Sequence, residues 1–241
     1  MESWQANKVG KTGIFGGNKD YYDFLPYKSG ETDIWWATNN ERSRDYSVSA
    51  VVVTTSPCVS YNENSKHGGN RSALLYTSGH GGGYASTGSL LYPAGAFAGS
   101  LFVGTYSWSG EEDIVTTGHS FAVRPQEFAF WYKYIPKNSD QFKAYIELRS
   151  GDEIIATGTF IPTAYSTADS DFKQATVLLE YITLEKKATS VYVQFLSTTK
   201  TSFSSSDFDK NKSITFPVMG SWNAHIGSML YIDDISLNYT K

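Results

Sequence analysis

A two-residue alternation of apolar and polar side chains recurs along most of this chain, and it limits the fold more than any other feature. Phe128, Phe130, Tyr132 and Tyr134 share one face of a predicted strand. Phe142, Ala144, Ile146 and Leu148 repeat the pattern, with Lys143, Tyr145, Glu147 and Arg149 opposite. Val191, Val193 and Phe195 alternate with Tyr192 and Gln194. Segments 47–55, 99–106, 153–160 and 175–182 bring the set to about eight to ten strands. Turn signals such as Ile135-Pro-Lys-Asn138 and Arg149-Ser-Gly-Asp152 separate them. No long helical stripe interrupts the series. Many short strands of this kind predict an all-β chain, a jelly-roll β-sandwich of two antiparallel sheets forming one domain over residues 1–241. Residues 61–70, the glycine-rich stretch from His80-Gly-Gly-Gly83 and residues 197–228 read as long loops.

Composition narrows the function classes. Aromatics are 15% of the chain and charged residues only 18%, which suits strands and excludes disorder. The net charge of −4 argues against a nucleic-acid partner and against an anionic membrane surface. No apolar run is long enough for a transmembrane helix. A lone cysteine, Cys58, rules out an intrachain disulfide and reads as a small buried residue. The chain opens on Met1-Glu-Ser-Trp4 with no signal segment, as expected of a mature domain.

Catalytic motifs are weak. His80-Gly-Gly-Gly83 looks like a lipase oxyanion loop, but no G-x-S-x-G elbow accompanies it. His67, His80, His119 and His225 form no zinc-binding spacing. Glu111, Glu112 and Asp113 are adjacent, so alternation sends neighbours to opposite faces and they make a poor glycosidase pair. No catalytic residue is assigned.

The final strand, Met229 to Tyr239, carries two adjacent carboxylates, Asp233 and Asp234. Strict alternation puts Asp233 on the face of Tyr231, Ile235 and Leu237, where an unpaired carboxylate is too costly to keep. It then needs a cation, a metal or several N–H donors. A one-residue bulge at Asp233-Asp234 is the other reading, and it places Leu230 and Ile232 with Ile235 and Leu237. For a structural Ca²⁺, Glu2 at the opposite terminus is a candidate partner. Exposed tryptophans offer flat apolar platforms for sugar rings, and Trp36, Trp108 and Trp222 are the candidates. Asn39, Arg71 and Arg124 are candidate hydrogen-bond donors to sugar hydroxyls.

An ordered series of segments carries a family resemblance. It runs Glu2-Ser-Trp4, Trp36-Ala-Thr-Asn-Asn40, Gly99-Ser-Leu-Phe-Val-Gly104, Phe121-Ala-Val-Arg-Pro125, Phe130-Trp-Tyr-Lys-Tyr134, Ile155-Ala-Thr-Gly158 and Gly227-Ser-Met-Leu-Tyr-Ile-Asp-Asp234. The series resembles the carbohydrate metabolism domain of Bacteroidetes secreted lipoproteins and covers nearly the whole chain. The resemblance implies a jelly roll like that of carbohydrate-binding modules, display at the outer membrane or cell surface on a lipid-anchored protein, and a poly- or oligosaccharide ligand. It also implies a calcium site at Glu2, Asp233 and Asp234. The family's usual Thr-Gly-Asn is Thr38-Asn39-Asn40 here. The function expected is a non-catalytic glycan-binding module. A glycoside hydrolase or polysaccharide lyase using Glu111–Asp113 with Asp207 or Asp209, and an adhesive domain without a small ligand, are the alternatives.

Overall fold

The computed structural model describes residues 2–12, 19–45, 56–80, 95–163 and 167–239. Among these the first strands are β1 (Gln5–Thr12), β2 (Lys19–Leu25), β3 (Trp36–Thr38), β4 (Val59–Asn62), β5 (Ser72–His80) and β6 (Gly95–Ala98). Next come β7 (Ser100–Trp108), β8 (Asp113–Thr117), β9 (His119–Ser120), β10 (Glu127–Ile135), β11 (Lys143–Ser150) and β12 (Glu153–Phe160). The last are β13 (Lys173–Leu178), β14 (Glu180–Tyr181), β15 (Ser190–Leu196), β16 (Asp209–Phe216) and β17 (Gly220–Asn238). One short helix, α1 (Asn40–Asp45), follows β3. The expected strand at 47–55 and the glycines at 81–83 lie outside the described residues.

The strands form a β-sandwich. One sheet has seven strands in the order β13-β10-β17-β5-β4, with β16 joined to β17 and β6 to β5. The other has eight in the order β14-β12-β11-β15-β7-β3, with β8 on β7 and β9 on β15. β1 and β2 make a separate antiparallel hairpin. The inward faces are those read from alternation. Phe130 meets Phe195 edge-on across the sandwich at 5.1 Å, and Tyr134 meets Phe142 at 5.1 Å. Aromatic pairs in this geometry add to the free energy of area burial.

The bulge reading of the last strand is correct, and strict alternation is not. Ala129 opposes Ser236 while Trp131 opposes Asp233, so Asp234 and Ile235 together face Phe130. Asp234 has φ 44°, the left-handed region that a bulge demands of one residue. Leu230, Ile232 and Leu237 pair with Tyr134, Tyr132 and Phe128 on the core face. Asp233 therefore points away from the core, beside Trp131.

The expected loop at 197–228 is also corrected. Much of it is β16 and the first half of β17, paired across a turn at Phe216–Gly220 where Val218 has φ 53° and Gly220 has φ 70°. The alternation was present: Trp222, Ala224 and Ile226 are buried, while Ser221 and Asn223 are exposed. The Ser- and Thr-rich lead-in obscured it.

Candidate functional site

The site begins with two adjacent amides at the end of β3. Asn39 Nδ2 donates to the Ala98 carbonyl at 2.8 Å, and its Oδ1 accepts from Ser100 N at 2.9 Å and from the Cys58 thiol at 2.9 Å. Asn40, 1% exposed, donates to the carbonyls of Phe24 (3.1 Å) and Val59 (2.9 Å) and accepts from Val59 N (2.9 Å). An amide is suited to this work because it offers donors and acceptors together. Together the pair ties β2, β4 and the start of β7 to one point. Asn39 is thus a structural residue and not a sugar contact, since its side-chain oxygen and amide nitrogen already serve the backbone and a thiol. Burial pushes the Cys58 thiol far above its ordinary range, so it is no nucleophile.

With these strands pinned, a cavity of about 380 Å³ opens between the β1–β2 hairpin, the start of α1 and the β3–β7 edge. Tyr27, Trp36 and Tyr106 supply aromatic walls, and Asn7, Asp23 and Glu41 supply polar atoms. Register explains the hairpin's share. Asn7 opposes Asp23 and Gln5 opposes Leu25, so Asn7, Asp23 and Leu25 share the lining face. Lys8 falls on the other face and pairs with Asp20 at 2.8 Å. Trp36 is half-buried and stacks on Phe195 at 6.4 Å, which fixes its ring at the cavity wall. The Tyr106 hydroxyl donates to Asp113 at 2.5 Å; burial comes first, and this bond second, in pushing the phenol far above its ordinary value. Arg42 neutralises Asp113 at 2.9 Å and lies over the rings of Trp108 (5.2 Å) and Phe97 (5.4 Å).

Of the six expected sugar contacts, Trp36 lines this cavity. Trp108 sits close by, its backbone N–H donating to Glu41 Oε2 at 2.9 Å. Asn39 serves the backbone as described, and the other three side chains lie elsewhere. Arg71 covers Tyr61 at 4.2 Å and pairs with Glu63 at 3.1 Å. Arg124 donates to the carbonyls of Leu184 and Thr183, both at 2.6 Å, and lies over Tyr181 at 4.8 Å. Trp222 is corrected to a core residue: it is 3% exposed and meets Tyr21 edge-on at 5.8 Å, leaving no face for a sugar. Tyr27, Tyr106, Asp23 and Glu41 escaped the sequence reading. The available signal was Tyr106-Ser-Trp108, two aromatics on one face of an edge-proximal strand.

The three acids assigned to calcium meet around one short loop. Asp233, 0% exposed, accepts from His67 N (2.8 Å) and Gly68 N (3.2 Å) through Oδ2 and from Asp234 N (2.9 Å) through Oδ1. Asp234 pairs with His67 Nδ1 at 2.7 Å, and that ring stacks on Trp131 at 3.6 Å. Glu2 accepts from Asn70 N at 2.9 Å. A Cβ at Gly68 would lie 2.7 Å from Asp234 Oδ2 and one at Gly69 2.0 Å from Glu2 Oε1, so a side chain there would displace these carboxylates, and Gly69 has φ 55°, where a side chain is also strained. Calcium needs six to eight oxygen ligands. Here N–H groups face the carboxylate oxygens of Asp233 and Glu2 and would compete with a cation for them. Among the described residues no group of three His, Cys, Asp or Glu side chains is arranged to hold a metal ion.

The acids of the hydrolase alternative do not assemble. Glu111 and Glu112 are exposed in the turn after β7, and Asp113 is held by Arg42 and Tyr106. Asp207 is paired with Lys200, and Asp209 with Lys137 and Lys212. For Asp207, burial pushes the carboxyl up, but Lys200, Ser204 and Asn138 outweigh it and hold it at about 2. The Lys137 ammonium holds Asp209 below its ordinary value. A general acid needs the opposite shift.

No known family matches the chain, and no curated protein matches it. Solved structures are similar at low identity. One is from work on the promiscuous specificity of carbohydrate-binding modules of the β-sandwich superfamily, at 11% identity and TM-score 0.38, covering 100% of this chain and 75% of that one. TmCBM61 in complex with β-1,4-galactotriose aligns at 8% identity and TM-score 0.37, over 85% of this chain and 88% of its own. The K1 cleaved adhesin domain of Lys-gingipain from Porphyromonas gingivalis W83 aligns at 11% identity and TM-score 0.33, over 99% and 91%. Likeness at this level assigns no role to any residue of this chain.

Proposed function

We propose that this chain is a non-catalytic glycan-binding module of a secreted or cell-surface protein. One observation carries the reading. A cavity of about 380 Å³ combines three aromatic side chains, Tyr27, Trp36 and Tyr106, with hydrogen-bonding groups on Asn7, Asp23 and Glu41. Sugar rings present apolar C–H faces and a rim of hydroxyls, and this lining offers a partner for each. A pocket near the lower end of the ordinary range of about 300–1,000 Å³ suits a short stretch of glycan. The secreted setting rests on the resemblance of the sequence. A glycan array of the wild type beside Trp36→Ala and Tyr27→Ala tests the proposal. Signal on the wild type, reduced at least tenfold in both variants, supports it. No glycan signal for the wild type refutes it.

A hydrolase reading has one specific observation in its favour: Asp23 and Glu41, two carboxylates, line the same cavity. Release of reducing sugar by the wild type from a bound glycan, abolished in Glu41→Gln, would replace the binding proposal with this one.

A further inference from the structure

We propose a second binding site, at the corner where β13 runs into β14, that takes a carboxylate carried on a small apolar body. It shares no residue with the aromatic cavity and does not depend on the glycan reading. The chain crosses here from one sheet to the other: β13 is an edge of the seven-stranded sheet and β14 an edge of the eight-stranded one. Leu179, between them, donates its N–H to the Gln126 carbonyl at 2.9 Å and holds the crossing against the start of β10. The crossing leaves a pocket of about 400 Å³ lined by Arg124, Gln126, Leu178, Leu179, Tyr181 and Leu184.

The lining is mostly apolar, yet it holds a guanidinium. Leu178 and Leu184 are 68% and 73% exposed at its rim. Apolar side chains that gather around a pocket, unlike singly scattered ones, mark an interaction site. Arg124 lies over the Tyr181 ring, whose hydroxyl donates to the Pro125 carbonyl at 2.7 Å. Its Nη1 and Nη2 each donate to one carbonyl, of Leu184 and Thr183. A guanidinium carries five N–H groups, so donors remain, among them a buried Nε–H without an acceptor. Among the described residues no carboxylate pairs with Arg124. Glu127 accepts from Asn238 Nδ2 at 3.3 Å, and Glu180 falls on the side of β14 opposite Tyr181. The positive charge is therefore met only by carbonyl dipoles. Gln126, exposed beside it, offers a further amide donor. A carboxylate on an apolar body matches each part: its oxygens accept from the guanidinium and the amide, and the body covers the leucines. A neutral apolar ligand would leave the cation unanswered, and a bare inorganic anion would leave the leucines in water.

Two chemically matched pairs of probes test this on the whole ¹⁵N-labelled chain by amide-shift titration. One pair is 3-phenylpropionate and its neutral analogue 3-phenylpropanol; the other is an acetylated tripeptide ending in leucine and its C-terminal amide. The proposal expects 3-phenylpropionate to bind with a Kd of about 1 mM or tighter, with the largest shifts in residues 178–184. Each acid should bind at least fivefold tighter than its neutral partner, and the gap should shrink in high salt. Tighter binding of the peptide than of the small acid also supports the proposal and makes the source a chain terminus. Arg124→Gln, verified as folded by its melting curve, should erase the preference for the acid. Leu184→Glu, at an exposed position that leaves the carbonyl bonds of Arg124 in place, should weaken acid binding at least fivefold, whereas Leu184→Lys should not weaken it. Acid and neutral partner bound equally, shifts confined to other parts of the chain, or no shift with the probes at about 10 mM would each overturn the proposal and leave the glycan reading untouched.

Discussion

Carboxylates gather in two regions of this molecule, and the two differ in what faces them. At the bulge of β17, Asp233 is buried under the loop that carries His67 and Gly68, with three backbone N–H groups directed at it. Beside the β1–β2 hairpin, Asp23 is buried to a similar degree but lines an open cavity with Glu41. N–H donors stabilise a buried charge and make the acid part of the framework. A cavity leaves room for a ligand to supply donors. The same residue type is structural in one place and a candidate recognition group in the other.

The largest expected effect tests the first half of this contrast. Asp233→Ala strands three N–H groups beneath a loop, so it should cost about 3 kcal/mol, read as a fall in melting temperature of roughly 6–12 °C. Glycan binding by the folded fraction should survive. A fall of less than 2 °C, within about 0.5 kcal/mol, would mean that the loop relaxes and the bonds contribute little. Asn40→Ala should cost a similar amount, about 2–3 kcal/mol by urea denaturation, because it unties β2 from β4. Unlike the first variant it should also weaken binding, since Asn40 lines the cavity.

Acid titration gives the next effect in size. The folded value of Asp207, about 2, lies below its ordinary 3.8. Its stabilisation is therefore complete above about pH 4 and is lost as pH falls through the folded value, on the order of 2 kcal/mol. Asp207→Asn should flatten the stability–pH curve in that window; an unchanged slope would show that another group governs it.

Chelation separates two accounts of the bulge. The N–H donor set predicts a melting temperature that EDTA leaves unchanged. The calcium proposed from the resemblance at Glu2, Asp233 and Asp234 predicts a fall of several degrees that Asp233→Asn abolishes. The smallest effect on stability belongs to the cavity. Glu41→Gln keeps an oxygen for the Trp108 backbone N–H and should shift stability by less than about 0.5 kcal/mol while weakening glycan binding. A large destabilisation would place Glu41 with the framework acids.

The bulge shows how much is legible in sequence. Leu230, Ile232, Ile235 and Leu237 fit one face only if an extra residue is inserted at Asp233-Asp234, and that residue is there. Trp222 shows the limit. Its polar neighbours suggested exposure, yet the same neighbours alternate outward along β17 while the ring goes in.

Much of the local order was determined by the sequence alone: that the chain is nearly all β, where strands such as β10, β11 and β15 run, and which of their faces point inward. Period-two alternation is a property of neighbouring residues, so it survives without any knowledge of what packs opposite. Only the tertiary structure decided that Tyr27, Trp36 and Tyr106 share a cavity, that Asn39 and Asn40 turn toward the backbone, and that a loop more than 160 positions away covers Asp233. Those facts depend on strands distant in the chain being brought side by side, and no local pattern encodes such a meeting.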